Sequence, residues 1–394
     1  MNILIINAGS SSIKYCLYDM DGPRLLCSGT IEHINEAEAP LHHWHTPPAT
    51  PQKTKLSVKD HRAIFEHLFQ NMTQHHKIHA IGHRVVHGGE QFNQATRIND
   101  DVLQMLNQTI PLAPLHNPIN IIGIKSARHH FPQLTHVAVF DTAFHHTLPE
   151  YAYRYALPET LYEQHHIRRY GFHGTSHQYL TYETARHLQK PIEQFNGITL
   201  HLGNGASIAA IQNGQCIDTS MGMTPLEGLI MGSRCGDIDA GVIIELLHRG
   251  YQIAEIDDLL NKESGLKGLC NDNDMRLIEQ RAQLRDQAAI RAINLFCYRI
   301  KKYIGAYTAV IGHIDALVFS GGIGEHSSYI REQCCQGLTH LGFHLDTTAN
   351  KNASGSLQRI DRHVNETVIL MMRTQEELEI ARQTQQLLTN SCNW

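Results

Sequence analysis

The residues of this chain that could do chemistry sit in short segments rich in polar residues and, in four of the six, glycine. They are 82–89 with Arg84, 113–118 with Leu115 and His116, 140–145 with Asp141, 168–177 with His173, 218–225 with Pro225, and 231–237 with Arg234. Glycine lets the backbone come close to a ligand, so these are candidate binding loops. Two turns, Asn7-Ala8-Gly9-Ser10-Ser11-Ser12 and Gly203-Asn204-Gly205-Ala206-Ser207, are built of small residues whose backbone N–H groups can approach a phosphate. Facing each other, they would clamp a phosphate between two related domains; two ordinary tight hairpins read the same way. The dipeptide Gly-Lys is absent, as is Gly-x-Gly-x-x-Gly, so a bound nucleotide uses neither the Walker loop nor the dinucleotide fingerprint. Lys and Arg number 33 against 38 Asp and Glu, a net charge of −5 with His neutral. No broad positive field exists to attract nucleic acid or an anionic membrane, and any bound anion must be held locally.

The elements that must position these loops are legible as an α/β pattern. Apolar runs at 3–6 and 13–18 flank the first turn, and runs at 198–202 and 208–211 flank the second, so the chain reads as internally duplicated. Strands are expected at 136–140, ending at Asp141, and at 316–320, ending at Gly321-Gly322-Ile323-Gly324-Glu325. A helix is expected over 286–310, with Ala289, Ile293, Phe296, Ile300 and Tyr307 on one stripe. Another should start at Thr374 as N-cap, with Glu377 completing a capping box. The chain has 394 residues, 42% hydrophobic and 18% charged, which excludes global disorder and suits two or three domains.

Histidine is abundant, 29 in all, clustered as His42, His43 and His45, as His75, His76 and His79, and in the adjacent pairs His129/His130, His145/His146 and His165/His166. Neighbouring residues point in different directions, so such pairs chelate poorly and read as solvated surface rather than a metal site. The nine cysteines, Cys235 and Cys392 among them, form no Cys-x-x-Cys pair, so neither zinc clip nor disulfide framework is indicated. No apolar stretch approaches the roughly 18 residues that span a bilayer, and the N-terminus lacks a basic leader region. The expectation is a reduced, soluble, cytoplasmic protein with no nucleic-acid or membrane partner.

Five motifs in this order and spacing, namely Asn7–Lys14, Arg84–Gly89, Arg169–His177, His201–Ser207 and Phe319–Glu325, make the sequence resemble the acetate kinase family over its full length. The resemblance implies an α/β chain of two duplicated domains with the acetate and sugar kinase, hsp70 and actin fold, ATP lying in the interdomain cleft. Residues 1–144 with 377–394 would form the N-terminal domain and 145–376 the nucleotide-binding domain. It implies reversible, direct in-line transfer of the ATP γ-phosphoryl group to acetate, with Mg2+, in a homodimer. By motif, Asn7 and Glu376 would meet the metal. Lys14, His201, Leu202, Gly203, Asn204 and Gly205 would bind ATP, as would Asp274, Met275, Arg276, Gly321, Gly322, Ile323, Gly324 and Glu325. Arg84 would hold the carboxylate or the transferring phosphoryl group, Asp141 would be the active-site acid, and His173 with Arg234 would stabilise the transition state. Val86, Leu115, Phe172 and Pro225 would enclose the methyl group.

These residue types suit phosphoryl transfer, which gathers negative oxygens and asks the protein chiefly for positioning and positive charge. Taken locally, each has a plainer reading as a surface arginine, a helix cap or a surface ion pair. Replacing Arg84 or Arg234 is expected to cost catalysis and leave folding intact. Val86, two residues after Arg84 in an extended segment, is expected on the same face. The family's Thr-Asn-Glu-Glu is Thr374-Gln375-Glu376-Glu377 here, and Cys235 replaces a common Ser, giving a thiol beside Arg234 that is either acidified or buried. The rivals are a kinase preferring propionate, a His-rich metal-storage protein, which would bind several equivalents of metal per chain, and a nucleotide-driven conformational switch, which would have no reason to carry Arg84, His173 and Arg234 together.

Overall fold

Ile3 to Ile6 and the facing Ile13, Tyr15 and Leu17 are fully or almost fully buried, as a strand pair at the centre of a domain must be. They form β1 (Asn2–Ala8) and β2 (Ile13–Asp19), antiparallel, with Asn7 opposite Lys14. The computed structural model describes residues 1–9, 11–35, 39–47, 49–73, 76–362 and 367–390. Ser10 of the first turn, His75 and Cys392 lie outside the described residues.

The chain divides into two compact units, Met1–His146 with Gln375–Trp394, and Thr147–Thr374. The first holds a sheet of eight strands in the order β5-β4-β3-β2-β1-β6-β8-β7. Besides β1 and β2 these are β3 (Arg24–Glu32), β4 (Leu41–His45), β5 (Gln52–Lys55), β6 (Ala80–Val85), β7 (Thr96–Arg97) and β8 (Thr135–Phe140). β1, β6 and β8 run parallel, while β2 and β3 are antiparallel to β1 and β2 in turn. Phe65, Leu68 and Phe69 of the helix His61–Thr73 pack with Leu4, Ile6, Tyr15 and Leu17 in the core.

The second unit repeats the scheme with β9 (Gly197–Leu202), β10 (Ala206–Gln212), β11 (Gln215–Thr219), β12 (Ala316–Ser320), β13 (Leu357–Arg359) and β14 (Val368–Met372), in the order β11-β10-β9-β12-β14-β13. The hairpin β9–β10 is antiparallel, and β9, β12 and β14 are parallel. Each unit therefore has a central strand with a hairpin partner on one side and two parallel strands on the other. The helix Gln287–Ile311 buries the expected stripe, and Asp286 caps it by accepting from the N–H groups of Ala288 and Ala289.

Two expectations are corrected. The final helix runs Glu376–Asn390 without the Thr374–Glu377 capping box. The Thr374 hydroxyl pairs with Ser176 Oγ at 2.9 Å and its N–H donates to Glu325 Oε1 at 3.2 Å, so tertiary bonding takes the groups a cap would use. Nor is histidine simply a solvated surface: His42, His61, His83, His87, His136, His145 and His177 are buried. His42, for example, packs between Tyr15 and Trp44 and bonds the Tyr15 hydroxyl at 2.9 Å. Among the described residues no helix is long and apolar enough to cross a membrane.

Candidate active site

In the first unit the polar residues gather where parallel strands end. Arg84 is the penultimate residue of β6 and Asp141 follows the last residue of β8; Val85 is in register with Phe140, so the two side chains leave the sheet together. Crevices at the carboxyl ends of such strands are the usual ligand sites of open α/β sheets. Arg84 Nε donates to Asp141 Oδ1 at 2.9 Å and Oδ2 at 3.1 Å, Nη2 to Oδ2 at 2.5 Å, and Nη1 to Asn7 Oδ1 at 2.9 Å. Asp141 is 1% exposed and the Arg84 side chain 21%, so this is a two-pronged ion pair buried on its carboxylate side. The Glu376 carboxyl is pushed up to about 7, mainly by burial; Arg84 and Lys14 oppose the rise, and Glu377 and Asp141 add to it. Lys14 is exposed, facing Asn7 across the hairpin.

Val86 lies just past the end of the strand expected to carry it. β6 stops at Val85, and the Val86 N–H turns to Asn120 Oδ1 at 3.0 Å, while the Asn120 amide donates to Ala8 O at 2.7 Å. Asn120 thus holds the Val86 backbone beyond the strand ladder, and the Val86 side chain is buried. Leu115 is 59% exposed, an apolar side chain left open to solvent.

In the second unit two side chains converge on Gly205. A Cβ there would stand 3.4 Å from His173 Nε2 and 3.7 Å from Arg234 Nη2, so the bare backbone is what admits both side chains. His173 precedes the helix Gly174–His187 with a left-handed backbone, φ 57°, a conformation a non-glycine residue adopts only when its surroundings impose it. Its Nδ1 meets Ser207 Oγ at 2.8 Å, the same hydroxyl meets His177 Nε2 at 2.8 Å, and His177 Nδ1 meets Thr199 Oγ1 at 2.8 Å. The chain of hydroxyls and rings orients His173 so that Nε2 faces Gly205. The His173 ring also stacks on His201, centroids 4.4 Å apart, and His201 Nδ1 bonds Ser176 Oγ.

Arg234 is held quite differently from Arg84. Its Nη1 donates to Pro225 O at 2.7 Å and to Met231 Sδ at 3.5 Å, and among the described residues it makes no ion pair. Burial lowers its pKa from the usual arginine value, the mark of a cation removed from water without a counter-ion. Phe172 is 2% exposed and Pro225 half-buried. The Cys235 thiol is pushed up, chiefly by burial, which decides against an acidified thiol beside Arg234.

Of the nucleotide candidates, Leu202 and Met275 turn their side chains into the core, leaving only backbone for a ligand. Asp274 caps the helix Met275–Gln283 through the Arg276 N–H and receives two guanidinium bonds from Arg276. Gly203 N donates to Gly205 O, and Gly232 N to Asn204 O, where a Cβ on Gly232 would strike Asn204 Oδ1. Gly321 has φ 76° and lies against Leu202 O, tying the end of β12 to the end of β9. Glu325 accepts from Gly321 N and Thr374 N, and Gly322 and Ile323 remain partly or fully exposed, with Gly324 buried.

Sequence reasoning assigned no role to Ser207 or His177. The four-residue step from His173, the residue before the helix, to His177 in its first turns was a usable signal. Ser207 reaches them only through the β9–β10 register, which no local pattern reveals.

The sequence profile of the acetokinase family matches residues 2–382. The chain belongs to the acetokinase family. An acetate kinase from a Sulfurovum species is 49% identical over 397 residues, 99% of each chain. The crystal structure of Porphyromonas gingivalis acetate kinase superposes with TM-score 0.93 at 38% identity, covering 98% of this chain and 99% of that one. A propionate kinase from Francisella tularensis superposes with TM-score 0.92 at 41% identity over the same shares. At these values the chain has the acetate kinase fold, and both acids that the sequence left open occur among its similar proteins.

Proposed function

We propose that this chain moves the γ-phosphoryl group of ATP to acetate: a carboxylate oxygen attacks the γ-phosphorus, the bond to the bridging oxygen breaks, and its electron pair leaves with ADP. The product is acetyl phosphate, and the reaction runs in both directions. The chain is a phosphotransferase with a carboxyl acceptor, as its family membership requires. The observation that carries the assignment of the site is Arg234, a half-buried guanidinium that among the described residues is bonded only to a carbonyl and a thioether. Such a group is stabilised by an arriving carboxylate or phosphoryl oxygen.

In this reading His173 donates from Nε2 beside Arg234 to the transferring group, with Ser207 and His177 holding its ring. Arg84 faces the negative oxygens with its charge already shared by Asp141, so Asp141 acts by orienting Arg84. Val86, Leu115, Phe172 and Pro225 receive the acid's alkyl end. The segments 201–205, 274–276 and 321–325 with Lys14 take the nucleotide, mostly through backbone groups.

Magnesium belongs to the same proposal. The donors present are the Asn7 amide oxygen and the Glu376 carboxylate, oxygen ligands of the kind magnesium takes alongside phosphate and water. The raised Glu376 pKa supports the fit, because a divalent cation would favour the ionised carboxylate that burial now disfavours. Among the described residues there is no complete cage of three or more His, Cys, Asp or Glu side chains, so the phosphates would have to share the ion. When bound, the ion would neutralise phosphate charge.

The units Met1–His146 with Gln375–Trp394 and Thr147–Thr374 correspond in this proposal to the N-terminal and nucleotide-binding domains of a cytoplasmic homodimer. The test is ADP formation by the purified chain with ATP, Mg2+ and either acid. Acetate-dependent ADP release with higher kcat/KM for acetate is expected. One extra methylene changes binding by only about 1–3 kcal/mol, so propionate should be a poorer substrate and not a rejected one. A preference for propionate would move the chain to that activity, and nucleotide hydrolysis indifferent to either acid would sink both.

A further inference from the structure

Between β11 and Asp237 the chain has neither helix nor strand, yet it carries Pro225 and Arg234. Backbone without a ladder needs donors from elsewhere, and one side chain supplies an unusual share. Arg169 Nη1 donates to the carbonyls of Thr219 at 2.8 Å, Ser220 at 3.2 Å and Met221 at 3.1 Å, and Nη2 to Glu227 Oε1 at 2.5 Å. It therefore holds both ends of the stretch 221–227 in which Pro225 sits. The Tyr155 hydroxyl closes the arrangement by donating to Glu227 Oε2 at 2.5 Å and accepting from Met223 N at 2.9 Å. There is no slack: a Cβ on Gly222 would come within 1.8 Å of Glu227 Oε2 and 2.3 Å of the Tyr155 oxygen.

The same clamp joins this loop to the segment that bears the other site residues. Tyr170 N and Gly171 N both donate to Gly222 O, at 3.1 and 3.2 Å, and Phe172 and His173 follow immediately. Arg234 in turn donates to Pro225 O, so the position of Pro225 fixes one bond of the guanidinium. The far end of the loop has its own anchor, Arg299 to Gly228 O and Asp237 O with Tyr303 to Asp237 Oδ2, and does not depend on Arg169.

We infer that Arg169, with Glu227 and Tyr155, is a positioning residue that sets where Pro225 and Arg234 stand and thereby which carboxylic acid is accepted. The inference rests on the acceptor roles given above to Pro225 and Arg234. Arg169 itself donates to backbone and Glu227 and acts through them. A planar fork with five N–H groups can span three carbonyls and a carboxylate, which a lysine ammonium cannot.

The experiment compares Arg169→Lys, Tyr155→Phe and Arg234→Ala with wild type by melting temperature, KM for acetate and for ATP, and the propionate-to-acetate ratio of kcat/KM. Misplacement of the wall should raise KM for acetate roughly 10- to 100-fold in Arg169→Lys while KM for ATP stays within about twofold, since small displacements of positioned groups have effects of that size. The propionate-to-acetate ratio should rise as the wall loosens. Tyr155→Phe, which removes a single hydroxyl, should move both readouts the same way by less, and it keeps the question open to test if Arg169→Lys folds poorly. Lower melting temperatures with KM and acid ratio unchanged in both variants, Arg234→Ala being inactive, would overturn the inference alone. Full turnover in Arg234→Ala would overturn the acceptor reading and the inference with it.

Discussion

Two arginines that look alike in the sequence are opposite in their surroundings, and their replacement should separate accordingly. Arg84 neutralises the buried Asp141 and also ties down Asn7, whereas Arg234 donates to a carbonyl and a thioether and has no acidic partner among the described residues. Each Arg→Ala should lower kcat on the order of 10³-fold, the size seen when phosphoryl-clamping groups are lost. Stability is where they differ. Removing Arg84 strands a buried carboxylate, a change that costs about 3–5 kcal/mol in comparable pairs, so that variant should melt well below wild type. Removing Arg234 takes away an uncompensated buried charge and should leave melting close to or above wild type. The expectation from sequence was that neither would affect folding; for Arg84 the ion pair with Asp141, a partner no local pattern names, argues for the opposite outcome. Activity assays with thermal melts on both variants check this, and equal melting temperatures would show the ion pair to be of little consequence.

At the scale of elements, the sequence was most readable where apolar periodicity decides the matter. The strand 316–320 and the helix with its stripe through Phe296 and Ile300 lie where the pattern put them, because burial of one face dominates both. Ends were less readable: Thr374 had the chemistry of an N-cap but is drawn to Ser176 and Glu325, and Val86 leaves its strand for Asn120. Histidine was least readable, since nothing local distinguishes a solvated ring from a buried one. The parallel strands β6 and β8, which deliver Arg84 and Asp141, carry the buried pair His83 and His136, with His83 Nε2 and His136 Nδ1 at 3.1 Å. His136 Nε2 must donate to Phe131 O, so its Nδ1 accepts from His83 and a further proton there would set two donors against each other.

That pair and His42 carry a pH prediction. Burial holds the pKa of His83 well below the ordinary 6.5, lowers that of His136, and brings His42 to about 4. Below pH 6.5 the unfolded chain takes up protons that the folded chain refuses. The stability these rings support is thus complete above about pH 6.5 and is lost as pH falls toward the folded-state values. Glu376 runs the other way, its neutral form being favoured in the folded state up to about 7, as do the half-buried carboxyls of Asp218 and Glu279, whose smaller rises leave the window above pH 5 chiefly to Glu376 and the three rings. Melting temperature should fall between pH 6.5 and 5, before most carboxylates titrate. His136→Gln, which keeps a donor and an acceptor without the titration, should flatten that slope. An identical slope in the variant would remove the pair from the account.

On the scale of the whole molecule, the repetition of one strand scheme was visible in the sequence as two hairpins with small-residue turns, because a tight turn between buried strands leaves a compositional mark. The surface left no such mark. The helix Gly241–His248 has no buried residue although its sequence, Gly-Val-Ile-Ile-Glu-Leu-Leu-His, is mostly apolar. Val242, Ile244 and Leu247 are 43%, 54% and 41% exposed, and Ile238, Tyr251 and Ile253, on either side of the helix in sequence, are 41%, 44% and 80% exposed. Large apolar side chains left exposed in such number along one segment are costly in water and mark a contact face. The proposed homodimer gives it an occupant, a second copy of the chain meeting the same helix around a two-fold axis, where a single apolar face can serve both partners. Sedimentation should then return twice the 44.5 kDa chain mass for wild type. Ile244→Glu would place two like charges across the axis and should shift the chain toward monomer, with the circular dichroism of the folded protein retained. A wild-type protein that sediments at the mass of one chain at micromolar concentration would rule out the dimer, and an Ile244→Glu variant that remains dimeric would place the contact elsewhere on the surface.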